Sequence, residues 1–189
     1  YKRQLKRFSA SFMESLSPFA ILQDFDQRCR QNARGLPEGK KVEKDWVGIG
    51  FSLNGKKLVA RMADVTEILP PPETIRVPGV QSWVKGIANV RGTLIPILDM
   101  RAYLQGMFTR ITKDSRVLVI NNNHIMAGLM VEEVFGMRRF KPEMQMEATL
   151  PDMGELEPYV AGTFNDAQFK WSVFSVEKLV SHDRFLRLV

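Results

Sequence analysis

The chain contains 189 residues, of which 44% are hydrophobic and 25% are charged. These shares are typical of a folded globular protein, and no apolar run approaches the roughly 18 residues of a membrane-spanning helix. The single cysteine, Cys29, excludes an internal disulfide and a thiolate cluster, a usage typical of cytoplasmic proteins. Because the chain begins with Tyr1 instead of methionine, we expect its natural start to lie upstream.

The excess of basic residues lies near the N-terminus. The net charge is +6 and the pI is about 9.6, values that raise nucleic acid or an anionic membrane as a partner. Residues 1–44 contain 10 basic and 5 acidic side chains, whereas residues 45–189 contain 17 and 16. Since a nucleic-acid surface needs clustered cations, we predict neither a nucleic-acid partner nor membrane insertion. The alternative is a small β-barrel that binds single-stranded nucleic acid.

The first 44 residues predict a basic helical extension. Its apolar residues recur at steps of three and four, which is a helical period. These residues are Phe12, Leu16, Phe19, Leu22 and Phe25. Pro18 is predicted to split the helix, and Gly35, Pro37 and Gly39 indicate a linker. The sequence leaves open whether the apolar stripe packs on the rest of the chain or on a partner.

Residues 45–110 predict two hairpins and a short helix. Apolar residues alternate along 47–53, and Asn54-Gly55 is a type I′ turn signal before a return strand over 57–62. Three prolines, at 70–72, end this unit. Strands over 83–90 and 93–98 then flank Arg91-Gly92, and a helix follows between Asp99 and Gly106.

Residues 111–175 predict a similar series of elements. Strands are expected over 116–120 and 125–131, with 134–137 as an extension of the second. An irregular connection covers 141–158, and a last hairpin over 159–164 and 169–174 precedes a C-terminal helix, 175–189.

An internal repeat relates the two series. Residues 85–104 superimpose on 161–180 without a gap, and this places Gly86 on Gly162 and Asn89 on Asn165. We therefore predict a mainly β domain over 45–180, with two pseudo-repeated halves of about 45–110 and 111–175. Each half is too small to be stable alone, so the prediction is two antiparallel barrels that share a core.

No pattern typical of an enzyme is found. His124 and His182 are the only histidines, and neither has neighbouring ligands in the sequence, which favours a surface or capping role. Glu132 and Glu133 are adjacent, so on a strand they point to opposite faces. We predict a protein without catalysis, metal or cofactor.

Arg91 and Glu67 are charged residues in otherwise apolar surroundings. Arg91 lies on the turn between two aliphatic strands, and Glu67 lies between Val65 and Ile68. The two could form a structural salt bridge, Arg91 could be a solvated turn residue, or Arg91 could present its guanidinium to a partner. The guanidinium is a rigid fork of donors that suits a partner's carboxylate or carbonyl.

Several segments resemble one known family. Residues 83–101 read WVKGIANVRGTLIPILDMR and follow Val77-Pro78. Shorter matching segments are VTEIL at 65–69, RVLV at 116–119 and GLMVEEV at 128–134. Together they resemble the CheW-like domain of the chemotaxis coupling proteins over about residues 46–180. Within this family the chain is most similar to adaptors of the chemosensory systems that govern type IV pili and twitching motility.

The resemblance implies a fold, partners and site residues. The implied fold is two five-stranded SH3-like barrels that share a core. The implied role is a cytoplasmic, non-enzymatic adaptor between the cytoplasmic tip of a chemoreceptor and the regulatory domain of a CheA-type histidine kinase. By the same resemblance, the receptor-binding residues are Arg91, Glu67 and Asn89, and the kinase-binding residues are Val65, Ile68 and Gly86. One departure is Ser175, where the family commonly has aspartate.

Overall fold

The computed structural model describes residues 17–32, 45–122, 124–146, 153–166 and 168–187. Helix α1, Pro18–Asn32, forms a unit separate from the residues that follow 44. This helix begins at Pro18, because proline fits the first turn, where its missing N–H is not needed. The predicted split of the helix at Pro18 involves residues before 17, which lie outside the described residues. The remainder of the predicted extension, with its linker and the boundary at residue 44, lies outside the described residues. No helix in the described ranges is both long and apolar enough to cross a membrane.

The second unit consists mainly of β-strands. The strands are β1 Trp46–Leu53, β2 Lys56–Arg61, β3 Val65–Leu69, β4 Val84–Val90, β5 Thr93–Asp99, β6 Arg116–Asn122, β7 Ile125–Val131, β8 Glu133–Phe140, β9 Gln145–Met146, β10 Val160–Asn165 and β11 Lys170–Phe174. The helices are α2 Met100–Gln105, α3 Val176–Val180 and α4 Asp183–Leu186. Short 3₁₀ helices lie at Met62–Asp64, Pro142–Met144 and Gly154–Tyr159.

The strands form two sheets of the same design. The six-stranded sheet has the order β8-β1-β2-β11-β10-β9, and the five-stranded sheet has the order β3-β6-β7-β5-β4. In each sheet two antiparallel hairpins are joined by a parallel pair, β2 with β11 and β5 with β7. The predicted mainly β fold is confirmed. The two-residue strand β9 was not predicted.

The two sheets do not coincide with the predicted halves, 45–110 and 111–175. The five-stranded sheet is continuous in sequence, from Val65 to Val131, and is inserted between β2 and β8 of the other sheet. The prediction that 134–137 extends the preceding strand was wrong, because the chain bends at Glu132 and β8 pairs with β1. The Glu132 carboxylate accepts the backbone N–H of Asn54 at 3.2 Å and of Gly55 at 3.3 Å, which fixes the bend against the first hairpin.

Side chains point alternately to the two faces of each strand. Each sheet therefore encloses a core of its own, and a third core lies between the sheets. On β6, Val117 and Val119 pack inside the five-stranded sheet, while Leu118 and Ile120 face the core between the sheets. The interior of the six-stranded sheet contains Val59, Phe140, Phe164 and Trp171. The sheets therefore share a core, as predicted.

The hairpin turns and the caps of α2 follow the sequence signals. Asn54 and Gly55 have φ of 53° and 69°, and Arg91 and Gly92 have 50° and 86°, the positive values of type I′ turns. The Asp99 side chain caps the N-terminus of α2, and Gly106 ends the helix with φ 71°.

The C-terminal segment forms two short helices instead of the single predicted one. Ser175 caps α3, and the chain then turns at Ser181 and His182. His182 accepts the backbone N–H of Arg184 at 3.2 Å through Nδ1 and so caps α4. A surface or capping role was predicted for this histidine, and it caps the helix; the cap explains the break, because an N-cap has non-helical backbone angles.

Candidate functional site

Arg91 and Glu67 form an ion pair at one end of the five-stranded sheet. Arg91 lies on the β4–β5 turn and Glu67 on β3, the strand at the opposite edge of the sheet order. Arg91 Nε and Nη2 each lie 3.1 Å from Glu67 Oε1. The pair therefore joins the tip of the hairpin to β3 and brings the two edges of the sheet together.

The ion pair leaves most of the guanidinium available. The Arg91 side chain is 81% exposed and that of Glu67 is 25% exposed. A guanidinium has five N–H donors, and Arg91 uses only Nε and Nη2 for Glu67. Glu67 thus orients a fork whose remaining donors face solvent, where they can meet a carboxylate or a backbone carbonyl.

Asn89 stabilises the turn on which Arg91 lies. Its Oδ1 accepts the Gly92 N–H at 2.8 Å. Arg91 itself has φ 50°, a left-handed conformation that costs a non-glycine residue about 1 kcal/mol. The hydrogen bond from the Gly92 N–H to Asn89 offsets part of that cost. Of the three predicted receptor-binding residues, Arg91 and Glu67 are in contact, and Asn89 stabilises the turn that holds Arg91.

Two exposed apolar side chains lie close in sequence to the ion pair. Ile68, next to Glu67, is 39% exposed, and Leu94, paired with Asn89 across the hairpin, is 69% exposed. Leu94 was missed from the sequence, although alternation with the buried Ile95 indicates that it faces outward. Because side chains alternate along a strand, Ile68 points to the opposite face of β3 from Glu67, so the two residues belong to different surfaces.

The predicted kinase-binding residues occupy different environments. Ile68 is exposed, whereas Val65 is half-buried and packs against the core between the sheets. Gly86 is buried, with φ 139°, and a Cβ there would overlap the carbonyl oxygen of Ile75. Ile75 and Ile87 exchange two backbone hydrogen bonds of 2.9 Å, which hold the 70–82 segment over Gly86. Gly86 therefore offers no surface of its own to a partner.

The clearest pKa shift lies in the core, away from this end of the sheet. Burial, followed by the hydrogen bond to the Tyr159 hydroxyl at 2.8 Å, raises the pKa of Tyr103 well above its usual range. In the described ranges, no three His, Cys, Asp or Glu side chains are placed to hold a metal ion.

The geometry at Arg91 suits recognition of a partner surface by hydrogen bonds and apolar contact.

Comparison with known proteins agrees with this architecture. The sequence profile of the CheW-like domain matches residues 47–184. PilI of Pseudomonas aeruginosa is 43% identical over 170 residues, which cover 90% of this chain and 95% of PilI. The chemotaxis protein CheW of Helicobacter pylori is 27% identical over 86% of this chain and 97% of its own length.

A solved structure shows the same fold. The crystal structure of the scaffolding protein TtCheW from Thermoanaerobacter tengcongensis matches with a TM-score of 0.62 and 21% identity, and it covers 75% of this chain and 96% of TtCheW. The family resemblance inferred from residues 83–101 is confirmed by the profile match and by the identity to PilI. With a profile match over most of its length and a relative 43% identical across nearly all of it, the chain belongs to the CheW-like family of chemosensory adaptor proteins.

Proposed function

We propose that this protein is a non-enzymatic adaptor that couples methyl-accepting chemoreceptors to a CheA-type histidine kinase in a cytoplasmic array, and that this array controls type IV pili and twitching motility. The observation that carries the proposal is the 43% identity to PilI over 90% of this chain. The exposed, oriented guanidinium of Arg91 supplies a physical means of partner recognition.

The receptor-facing part of the proposal concerns Arg91, Glu67 and Asn89. Asn89 holds the turn, Glu67 orients the guanidinium, and the remaining donors of Arg91 bind a carboxylate or carbonyl on the receptor tip. An arginine already held by an ion pair loses little side-chain entropy on binding, so the contact is preorganised.

The kinase-facing part concerns Val65, Ile68 and Gly86, which contribute in different ways. Ile68 makes direct apolar contact, because it is exposed. Val65 supports the strand from the core, and Gly86 acts indirectly by allowing Ile75 to lie over β4. Because the two partners bind separate surfaces of one small protein, each is held near the other at high effective concentration. The adaptor thus couples them without catalysing a reaction.

Calorimetric titration against the regulatory domain of the cognate kinase tests the proposal. We expect saturable one-to-one binding, and we expect the receptor tip to bind the preformed complex. Ile68→Ala is expected to weaken kinase binding, while the control Met137→Ala, also an exposed apolar residue but on the six-stranded sheet, leaves it unchanged. No heat of binding up to high micromolar concentration would contradict the adaptor function.

A further inference from the structure

A groove with basic walls lies on the second unit and plays no part in the site described above. It consists of two adjoining depressions, of about 350 Å³ and 460 Å³, which share Gln81 and Ser82. Arg76 and Lys85 line the first, and Arg184 and Arg187 line the second. These four cations and the two shared residues define the basic groove.

The charge of the basic groove is unusual for this unit. Residues 45–189 are almost neutral, with 17 basic and 16 acidic side chains. The groove nevertheless combines four cations with a single carboxylate, Asp183. Arg76, Lys85 and Arg187 make no salt bridge to any residue that the structure describes. The acidic groups that balance them are therefore placed elsewhere, and the groove carries a local positive potential.

An exposed aromatic side chain stands beside these cations. Phe108 lines the first depression and is 60% exposed, and Met107 and Ile111 in the same loop are also exposed. The apolar walls near Phe108 are aliphatic, formed by Val77 and Val84. A large ring left in solvent beside a concave surface is typical of an anchor that a partner covers.

We propose that the basic groove is the docking site for an acidic, extended segment of a protein partner, whose carboxylates meet the four cations and whose apolar side chain packs on Phe108. The second depression preorganises one of these contacts, because the Arg184 guanidinium lies 4.8 Å from the Tyr103 ring centroid. Single-stranded nucleic acid fits the groove less well, because successive bases need several stacking aromatics and Phe108 is the one exposed Phe, Tyr or Trp in its lining, while the exposed imidazole of His182 lies against Tyr159.

Fluorescence anisotropy with a designed peptide tests the docking site. The probe is a fluorescein-labelled peptide of six glutamates around a central phenylalanine, and the comparison peptide has glutamine at each glutamate. We expect saturable binding of the acidic peptide. This binding weakens as the salt concentration rises, because salt screens the attraction between exposed charges. The double variant Arg76→Glu/Arg187→Glu is expected to bind at least ten-fold more weakly, and Phe108→Ala several-fold more weakly.

A matched control separates groove recognition from bulk charge. Arg139→Glu/Lys141→Glu changes the net charge equally at exposed positions on and beside β8, outside the groove lining, and is expected to keep the parental affinity. Thermal unfolding of each variant verifies that the fold is intact. Equal losses in both double variants, equal binding of the glutamine peptide, or tighter binding of a single-stranded oligonucleotide through the same cations would each overturn the proposal.

Discussion

Arg91 contacts Glu67 through two donors, Nε and Nη2, each 3.1 Å from the same oxygen, Oε1. Arg91 therefore has two roles that experiments can separate. It joins the two edges of the five-stranded sheet, and it presents its remaining N–H donors to a partner. Since the Arg91 side chain is 81% exposed, the ion pair itself is expected to contribute about 1 kcal/mol or less to stability.

Arg91→Glu is therefore expected to reduce binding of the receptor tip by at least ten-fold while the urea midpoint changes little. The double variant Glu67→Arg/Arg91→Glu restores an ion pair but moves the guanidinium from the turn to β3. If the display of the guanidinium matters, this swap does not restore receptor binding, as measured by calorimetry. Full recovery in the swap would show that the ion pair alone is needed.

Gly86→Ala is expected to destabilise the protein more than a glycine substitution at an open turn. Its Cβ would overlap the Ile75 carbonyl at φ 139°, so the 70–82 segment must shift. We expect a loss of about 2–3 kcal/mol in the urea-derived free energy of unfolding. The control is Gly55→Ala at φ 69°, where no atom lies within 4 Å and the loss is the cost of the backbone angle, about 1 kcal/mol. Equal losses at both positions would contradict the steric explanation.

The two equivalent helix caps are expected to differ in strength. Asp99 is fully buried, and its carboxylate accepts from Arg101 N, Ala102 N and both the N–H and hydroxyl of Thr109. Ser175, its counterpart in the repeat, accepts only from Lys178 N in the described part of the chain. Asp99→Ala is expected to lower the free energy of unfolding by about 2–4 kcal/mol, and Ser175→Ala by about 1 kcal/mol. Chemical denaturation measures both, and a larger loss at Ser175 would refute this ranking.

Tyr103 is expected to make stability fall at high pH. Burial and the hydrogen bond to Tyr159 raise the pKa of Tyr103 in the folded state, so the folded protein keeps this proton at pH values where the unfolded chain has lost it. The stabilisation is fully present below the unfolded pKa of about 10 and is lost as pH rises above that value.

Urea unfolding on either side of that pH tests the linkage. Tyr103→Phe is expected to flatten the decline and to cost about 1–3 kcal/mol at neutral pH, because the Tyr159 hydroxyl loses its partner. An unchanged pH profile in Tyr103→Phe would assign the decline to other groups.

Local structure was predictable where a few neighbouring residues determine it. The turns at Asn54-Gly55 and Arg91-Gly92 and the caps of α2 followed from side-chain chemistry. The path of β8 did not, because alternation fixes which face of a strand is buried but not which strand is its partner. The buried state of Gly86 likewise depends on Ile75, eleven residues earlier, and alternation along β4 does not predict that Ile75 pairs with Ile87.

The two candidate surfaces differed in how visible they were in the sequence. Arg91 and Glu67 were recognisable because each interrupts an apolar context. The basic groove was not, because Arg76, Lys85 and Arg187 come from separate segments, and a count of charges over the whole of 45–189 averages them with acidic residues elsewhere.

The insertion of one sheet within the other also sets an order of events on the ribosome. The five-stranded sheet is complete once Val131 has emerged, whereas the first hairpin, β1–β2, waits for β8 and β11, which end at Phe140 and Phe174. Both edges of this hairpin are open to pairing with another chain until β8 emerges, and the β2 edge stays open until β11 does. The hairpin that is synthesised first thus keeps an open edge until Phe174 is made, so a nascent chain of this protein stays exposed to edge-to-edge aggregation until late in the synthesis of this unit.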